Sequence, residues 1–279
     1  MEDTAVQQYY EGEARQYDAE FYGTKKGYPT LQYRHKYMLD MALALDLPAD
    51  AKILDVGCGP GEMVLDLCRK NWEIWGIDIA DNMIKIAREK HAASGKPNRV
   101  HLSTGDIEAL EFPDNQFDLV ICSGVVEYLH GDEKWTAEMD RVLKPGGVLI
   151  INVTNKMALR KWTAPLIEPF KRSKAMFGFM NFIKEKVLRR GKLHHFPFRP
   201  RTTTPWAFDK YLADHGYRKL DFRYFDFSLS VAPFDTLFGF ITLPIRRGME
   251  RYSHKNWWLS GIGYIVSARL ERKSGKTSN

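Results

Sequence analysis

The sequence predicts an α/β fold, with a doubly wound, mostly parallel sheet that carries helices on both faces. Between residues 51 and 153, short apolar runs rich in β-branched residues alternate with longer segments whose apolar residues are spaced by three and four. The first apolar run also ends in a glycine-rich turn that opens a helix, which is where open parallel sheets bind ligands. Both observations favour the same architecture.

Five strands and three helices can be placed in this region, each bounded by turn residues. The strand candidates are 51–57, 73–78, 99–103, 117–123 and 147–153. The helix candidates are 62–70, 81–94 and 132–143. The turn at 143–147 ends the third helix, because Pro145 cannot extend it and two glycines permit a reversal into the fifth strand.

The regular alternation stops after residue 153. A helix starts near Thr203, a strand covers 220–230, an irregular apolar stretch covers 231–258, and a last strand covers 263–270. We therefore divide the chain into an N-terminal helix (1–35), a core (36–155), a basic aromatic insert that forms a helical lid after the fifth strand (156–203), the rest of the sheet (204–270) and a polar tail (271–279).

The composition excludes several classes of protein. The 279 residues are 44% apolar and 13% aromatic, and they contain neither an apolar run long enough to span a membrane nor a signal-like N-terminus, so we expect a cytoplasmic protein. The cysteines Cys58, Cys68 and Cys122 form no Cys-x-x-Cys pair, which argues for buried thiols rather than disulfides or a zinc site. No metal is expected.

The positive charge is concentrated in one segment. Residues 156–201 hold 13 Lys and Arg against two Glu, whereas the whole chain carries a net charge of only +6. Residues 175–190 place aromatic and aliphatic side chains on one helical face opposite basic ones, and 237–258 repeats the combination. Such segments favour either a lid over a bound molecule or peripheral docking of 156–201 and 237–258 on the anionic inner face of a membrane.

A glycine turn at 57–61, with the sequence GCGPG, is the sharpest local feature. It follows Asp55 at the end of the first strand, and glycine at every second position lets the backbone approach a ligand closely. Its spacing differs from the G-x-G-x-x-G turn of dinucleotide-binding oxidoreductases, and the lysine and hydroxyl pair of a P-loop is absent. Asp78 ends the second strand, where a carboxylate can accept hydrogen bonds from both hydroxyls of an adenosine ribose.

Five elements in order carry a resemblance to a known family. Besides the glycine turn and Asp78, they are Gly105-Asp106-Ile107, Phe117-Asp118-Leu119-Val120 and the turn at 143–147. Together they resemble the class I S-adenosylmethionine-dependent methyltransferases of the small-molecule, ubiquinone and menaquinone type. The resemblance implies a Rossmann-like fold, S-adenosylmethionine as the cofactor, and methyl transfer to another molecule.

The resemblance also assigns cofactor-binding roles. The implied residues are Tyr17, Asp55, Gly57, Cys58, Gly59, Gly61, Asp78, Ile79, Met83, Asp106, Ile107, Ser123 and Gly124. The glycines would face the amino acid half, Asp78 the ribose, Asp106 the amino edge of adenine, and Ser123 the region of the sulfonium. Met83 would lie beside adenine or simply fill the core, and Tyr17 would belong to a helix that closes over the cofactor or to plain aromatic packing.

Methyl transfer needs mainly alignment, because a sulfonium is already an activated donor, so a missing catalytic triad is no objection. After the fourth strand the family often carries a Glu-His pair, but here Tyr128 replaces the histidine and His130 lies two residues later. Tyr128 and His130 are the candidate catalytic residues, with His130 either a general base or a solvated loop residue. His194 and His195 are further candidates.

The sequence thus predicts methylation of an oxygen or nitrogen atom of a lipophilic, membrane-associated small molecule, such as a quinol, a phospholipid or a lipid-linked intermediate. A soluble metabolite, with the basic segments as a lid, is the alternative. An RNA methyltransferase would explain the basic stretch through phosphate contacts. No nucleic acid is expected, however, because the Asn-Pro-Pro-Tyr type of tetrapeptide is missing after the fourth strand.

Overall fold

The structure is a computed structural model, and it describes residues 2–19, 30–68, 70–95, 99–158, 161–162, 178, 182, 200–227, 239–257 and 261–271. The helices are α1 (Glu2–Tyr17), α2 (Thr30–Leu43), α3 (Glu62–Leu67), α4 (Asp81–Ala93), α5 (Glu133–Val142), α6 (Pro205–Asp214) and α7 (Gly239–Glu250). The strands are β1 (Lys52–Val56), β2 (Glu73–Asp78), β3 (Val100–Thr104), β4 (Phe117–Cys122), β5 (Leu143–Thr154), β6 (Tyr217–Phe225) and β7 (Gly263–Leu270).

The seven strands form one sheet in the order β3-β2-β1-β4-β5-β7-β6. The first five are parallel, and β7 runs antiparallel to both β5 and β6. This confirms the predicted doubly wound, Rossmann-like sheet. The strand order reverses between β1 and β4, and open sheets of this kind bind ligands beyond the carboxyl ends of the strands at such a reversal.

Helices cover both faces of the sheet, as predicted. Side chains on successive positions of a strand point to opposite faces, so Ile53 and Leu54 of β1 belong to different apolar clusters. The Leu54 cluster contains Trp135 of α5 and Phe208 of α6, whereas the Ile53 cluster contains Met38 of α2 together with residues of α3. The Ile53 cluster fixes α2 and α3 against the sheet beside the glycine turn.

The structure differs from the sequence prediction at the turn 143–147. Strand β5 begins at Leu143, directly after α5, and its pairing with β4 shifts between Phe117 and Leu119. Gly146 takes a positive φ of 82° within the shifted segment. The proline and the glycines therefore produce an irregularity inside a strand rather than a separate turn before it.

The stretch 231–258, expected to be irregular, contains helix α7, which has Pro244 inside it. Proline disfavours a helix interior, but tertiary contacts hold this one. Arg246 is buried and pairs with Asp226 at 3.1 Å, and the carboxylate of Glu250 accepts a hydrogen bond of 2.6 Å from the hydroxyl of Tyr37. Packing thus overrides local propensity here.

Only the two ends of the predicted insert and a few isolated positions are described. The helix expected at 175–190 and the candidates His194 and His195 lie outside the described residues. At the base of the insert, the Lys156 amide donates to the Thr203 carbonyl (2.8 Å) and the Thr203 amide donates to the Thr154 carbonyl (3.1 Å). The insert therefore leaves and rejoins the fold at the carboxyl end of β5.

Across the described ranges, no helix has the length and apolarity that a membrane crossing requires.

Candidate functional site

The three glycines of the turn have left-handed backbones but different surroundings. Their φ values are 68° at Gly57, 51° at Gly59 and 86° at Gly61. A Cβ on Gly57 would lie 2.2 Å from a methyl group of Val125, and one on Gly61 would lie 2.9 Å from the methyl group of Ala87. A Cβ on Gly59 would meet nothing within 4 Å. Gly57 and Gly61 thus permit close packing, whereas Gly59 borders open space.

Asp78, at the end of β2, holds this turn in place. Its carboxylate accepts hydrogen bonds from the amides of Gly59 (2.9 Å) and Ala80 (3.0 Å). Burial raises the pKa of Asp78, and these amide donors act in the opposite direction. Because each carboxylate oxygen can accept more than one hydrogen bond, the residue keeps acceptor capacity for the ribose hydroxyls that the sequence assigns to it.

A cleft that is partly open to solvent lies beyond the carboxyl ends of β1 and β4. It brings together six of the predicted cofactor residues, namely Tyr17, Asp55, Gly57, Cys58, Gly59 and Ser123. Five further residues complete its wall, namely Leu31, Arg34, His35, Pro60 and Met63. Three of these, Leu31, Arg34 and His35, come from α2, and the sequence analysis named none of them as a site residue.

Asp55 is the most unusual group in the cleft. It is 1% exposed, and its Oδ2 atom has no hydrogen-bond partner among the described residues. Burial, together with the negative charge of Asp78, raises the pKa of Asp55 to about 7. A buried carboxylate of this kind favours a bound cation, because a positive charge nearby stabilises the ionised form.

Arg34 supplies positive charge to the same cleft. A Cβ on Gly124 would lie 2.5 Å from its guanidinium, so the absence of a side chain at Gly124 makes room for it. Burial raises the pKa of Glu127, and the charge of Arg34 opposes that rise. Asn152 donates to the Glu127 carboxylate (3.4 Å) and accepts from the Gly124 amide (2.8 Å). A polar network therefore backs the loop that follows β4.

His35 is the histidine that lines the cleft. Its Nε2 atom lies 2.9 Å from the carboxylate of Asp66 on α3, and both side chains are partly buried. A carboxylate partner of this kind fixes the orientation and tautomer of an imidazole. The two residues are 31 positions apart on different helices, so no local sequence signal could pair them.

The predicted catalytic residues are not among those that line the cleft. His130 is exposed and does not line the cleft. The hydroxyl group of Tyr128 hydrogen-bonds with that of Tyr10 on α1, and burial raises the pKa of Tyr128. Tyr128 therefore connects the loop after β4 to the N-terminal helix.

Helix α1 packs over the part of the site that the sequence assigns to the nucleoside. Its Gln7 side chain donates to the Ile79 carbonyl (3.1 Å), and Glu11 accepts from the Asn82 amide (3.1 Å). Met83 is 2% exposed and packs against Ala14 of α1. Of the other predicted positions, Ile107 is buried in the core, whereas Asp106 is exposed and accepts from the Glu108 amide.

Arg201, at the end of the insert, clamps the turn that carries Tyr128 and His130. Its guanidinium donates to the Val126 carbonyl (2.9 Å), the Gly131 carbonyl (3.3 Å) and the Asp132 carboxylate (2.7 Å). These bonds tie the insert to the loop that follows β4.

Replacing Arg201 with alanine is expected to loosen this turn without unfolding the protein. We expect a loss of about 1–2 kcal/mol in the free energy of unfolding, because the arginine side chain is 39% exposed and its ion pair is screened by solvent. Amide hydrogen exchange should rise at 126–132 and stay unchanged in β1. Lys210→Ala, which removes an exposed helix pair, serves as the control. Unchanged exchange at 126–132 would contradict the clamp.

Comparison with known proteins identifies the central region. Residues 54–151 match the family described as "Methyltransferase domain". A sterol 4-C-methyltransferase of Caenorhabditis elegans is 33% identical over 111 residues, which are 40% of this chain and 33% of that protein. A demethylmenaquinone methyltransferase of Lactiplantibacillus plantarum is 27% identical over 213 residues, which are 72% of this chain and 85% of that protein.

The chain thus spans a third of the length of the nematode relative. Among solved structures, the magnesium protoporphyrin IX methyltransferase of Synechocystis PCC 6803, with bound SAH, superposes with a TM-score of 0.60 at 17% identity, covering 96% of this chain and 99% of that one. This likeness is evidence for the fold alone. The family match identifies residues 54–151 as a methyltransferase domain, and the solved structure shares its fold.

Proposed function

We propose that the protein is an S-adenosylmethionine-dependent methyltransferase that acts on an oxygen or nitrogen atom of a lipophilic small molecule. The observation that carries this proposal is the cleft beside the glycine turn, whose lining includes the buried carboxylate of Asp55 and the guanidinium of Arg34. The amino acid end of the cofactor carries an ammonium and a carboxylate, so the charges of the cleft complement those of the ligand.

The residues present fit this group. Asp55 would hold the ammonium, because its Oδ2 atom lacks a hydrogen-bond partner among the described residues. Arg34 would hold the carboxylate, and Gly59 leaves space at the wall that a side chain would fill. Asp78 would bind the ribose while it keeps the turn in place. When bound, S-adenosylmethionine supplies a methyl group already activated on a sulfonium.

The other task of the chain is to move a proton. We assign this role to His35 rather than to His130, because His35 lines the cleft. The Asp66 carboxylate favours the tautomer with a proton on Nε2, which leaves Nδ1 able to accept a proton from a hydroxyl or an ammonium group of the acceptor. We expect the oxygen or nitrogen atom that loses its proton to His35 to attack the methyl carbon of the cofactor.

A lipophilic acceptor is supported by the relatives. The names of the nematode and Lactiplantibacillus proteins refer to a sterol and to demethylmenaquinone, both of which are apolar molecules. The base of the insert also lies at the carboxyl end of β5, close to the cleft edge of the sheet, where it can contribute to an acceptor site. We take quinols as the first class to test.

The proposal is tested by methyl transfer from S-adenosylmethionine labelled on the methyl group. The acceptors are a short-chain quinol, a lipid extract and a soluble metabolite extract, and label is expected in the organic phase with the first two. A His35→Gln variant should bind S-adenosylhomocysteine normally but transfer label at least about tenfold more slowly, whereas His130→Gln should match the unmodified protein. Label confined to the soluble extract would overturn the lipophilic acceptor, and absence of cofactor binding by the folded protein would overturn the activity.

A further inference from the structure

Helix α7 has an inner face that is fixed to the fold by buried polar groups. Arg246, which is 4% exposed, pairs with Asp226, and the Glu250 carboxylate accepts a hydrogen bond from Tyr37 on α2. The Tyr37 hydroxyl also lies 2.9 Å from the Glu250 carbonyl oxygen. These contacts fix the orientation of the helix against the fold.

The outward side of α7 and of the turn after it combines apolar and basic side chains. Ile245 is 49% exposed and Tyr252 is 50% exposed. Arg247, Arg251 and Lys255 are also exposed. We call these five residues the α7 surface. The ammonium group of Lys255 lies 4.9 Å from the centre of the Tyr252 ring, so the apolar and basic groups are interleaved.

The charge of the α7 surface is not neutralised locally. Glu250 is the acidic residue between 242 and 257, and it is buried. Arg247, Arg251 and Lys255 form no ion pair with any described residue, whereas exposed cations elsewhere do so, for example Lys210 with Asp214 and Arg218 with Glu271. The surface therefore presents three exposed cations and two large apolar side chains, and residues 242–257 contain no exposed carboxylate.

Among the partners that a cationic surface attracts, an anionic lipid bilayer fits this combination best. A nucleic acid would satisfy the cations but would leave the exposed Ile245 without a suitable contact. In the headgroup region of a bilayer, basic side chains meet lipid phosphates while aliphatic and aromatic side chains enter the acyl boundary. We propose that the α7 surface docks the protein on membranes that contain anionic lipids.

Docking of this kind would bring the site to its acceptor, a step that rests on the proposed function. Tyr37, which bonds to α7, lies on the same helix as Leu31, Arg34 and His35, which line the cleft. Helix α2 therefore joins the docking surface to the wall of the cleft. A lipophilic acceptor dissolved in the bilayer would be presented on this side of the molecule.

The test measures partition of the full chain onto vesicles by flotation. Vesicles of phosphatidylcholine alone are compared with vesicles that also contain phosphatidylglycerol, at low and at high salt. Binding is expected only with phosphatidylglycerol and should weaken with salt, since exposed charges are screened. The triple variant Arg247→Gln, Arg251→Gln, Lys255→Gln should lose about 100-fold in partition, because each basic residue contributes about 1 kcal/mol near an anionic surface.

The matched control removes three exposed cations elsewhere, through Lys134→Gln, Lys210→Gln and Arg218→Gln, and should bind vesicles as the unmodified protein does. The variant Ile245→Ser, Tyr252→Ser should keep the salt-sensitive part of the binding and lose the part that persists at high salt. Equal binding by both triple variants would overturn the proposal, as would stronger competition by RNA than by vesicles. Binding of S-adenosylhomocysteine without vesicles should be the same in all variants, so failure of docking is distinguishable from failure of the proposed function.

Discussion

Replacing Asp55 with asparagine is expected to weaken binding of S-adenosylhomocysteine at pH 8 by at least about 30-fold, because removing one partner of a buried charge pair costs about 2 kcal/mol or more. The asparagine fills nearly the same space but cannot carry the negative charge that complements the ligand ammonium. Calorimetric titration measures this loss. Asp114→Asn, at a carboxylate that is 66% exposed, is the matched control and should bind normally.

The same variant should lose a dependence on pH that the unmodified protein has. Burial raises the pKa of Asp55 from 3.8 to about 7, so the free carboxyl is protonated below neutrality. Because the ligand cation binds the ionised form, affinity should fall about tenfold for each pH unit below 7 and level off above it. The asparagine variant should show no such slope. If affinity in the asparagine variant fell with pH as it does in the unmodified protein, another group would be responsible for the pH dependence. That result would contradict the role of Asp55.

The stability of the unliganded protein should respond to pH in the opposite direction. Between pH 3.8 and about 7, the folded protein binds more protons at Asp55 than the unfolded chain does. The free energy of unfolding should therefore decrease as pH rises through this window, and the loss of stability due to Asp55 is complete above pH 7. A group that destabilises the free protein and is stabilised by a ligand is typical of a binding site rather than of a core.

The sequence alone was sufficient for the parts of the fold that depend on local pattern. The parallel strands and the glycine turn follow from residue spacing, since Gly57 and Gly59 must adopt positive φ wherever such a turn occurs. Helix α7 was not predicted, and Pro244 inside it disfavours a helix locally. The buried pair of Arg246 and Asp226 helps to hold the helix against the fold despite the proline. The two residues are 20 positions apart, so the sequence does not show that they pair.

The residues of the cleft also divide into those that the sequence predicted and those that it did not. The residues carried by strand ends and the glycine turn were predicted, whereas Arg34 and His35 were not, because nothing in the local sequence separates them from the neighbouring Lys36, which is exposed. The packing of α2 on the sheet determines that Arg34 and His35 face the site and that Lys36 does not. His130 was predicted from its position after β4, and it is exposed.

Alanine substitutions at Gly57 and Gly59 are expected to separate stability from cofactor binding within a single turn. Both residues have positive φ, so each substitution costs about 1–2 kcal/mol of backbone strain. At Gly57 the new methyl group would also collide with Val125, which adds about 1–3 kcal/mol of overpacking. Gly57→Ala should therefore lower the free energy of unfolding clearly more than Gly59→Ala, as measured by urea denaturation.

Cofactor binding should show the reverse order. The methyl group of Gly59→Ala enters open space at the wall of the cleft and should weaken S-adenosylhomocysteine binding by about tenfold or more. Adding Val125→Ala to Gly57→Ala removes the collision, so the double variant should regain the part of the stability that was lost to overpacking. Adding Val125→Ala to Gly59→Ala should not restore the stability lost at Gly59. Equal stability losses at the two glycines, or full affinity in Gly59→Ala, would show that the turn does not divide its roles in this way. Separate roles are expected because a side chain at Gly57 would collide with Val125 in the loop after β4, whereas one at Gly59 would meet nothing within 4 Å.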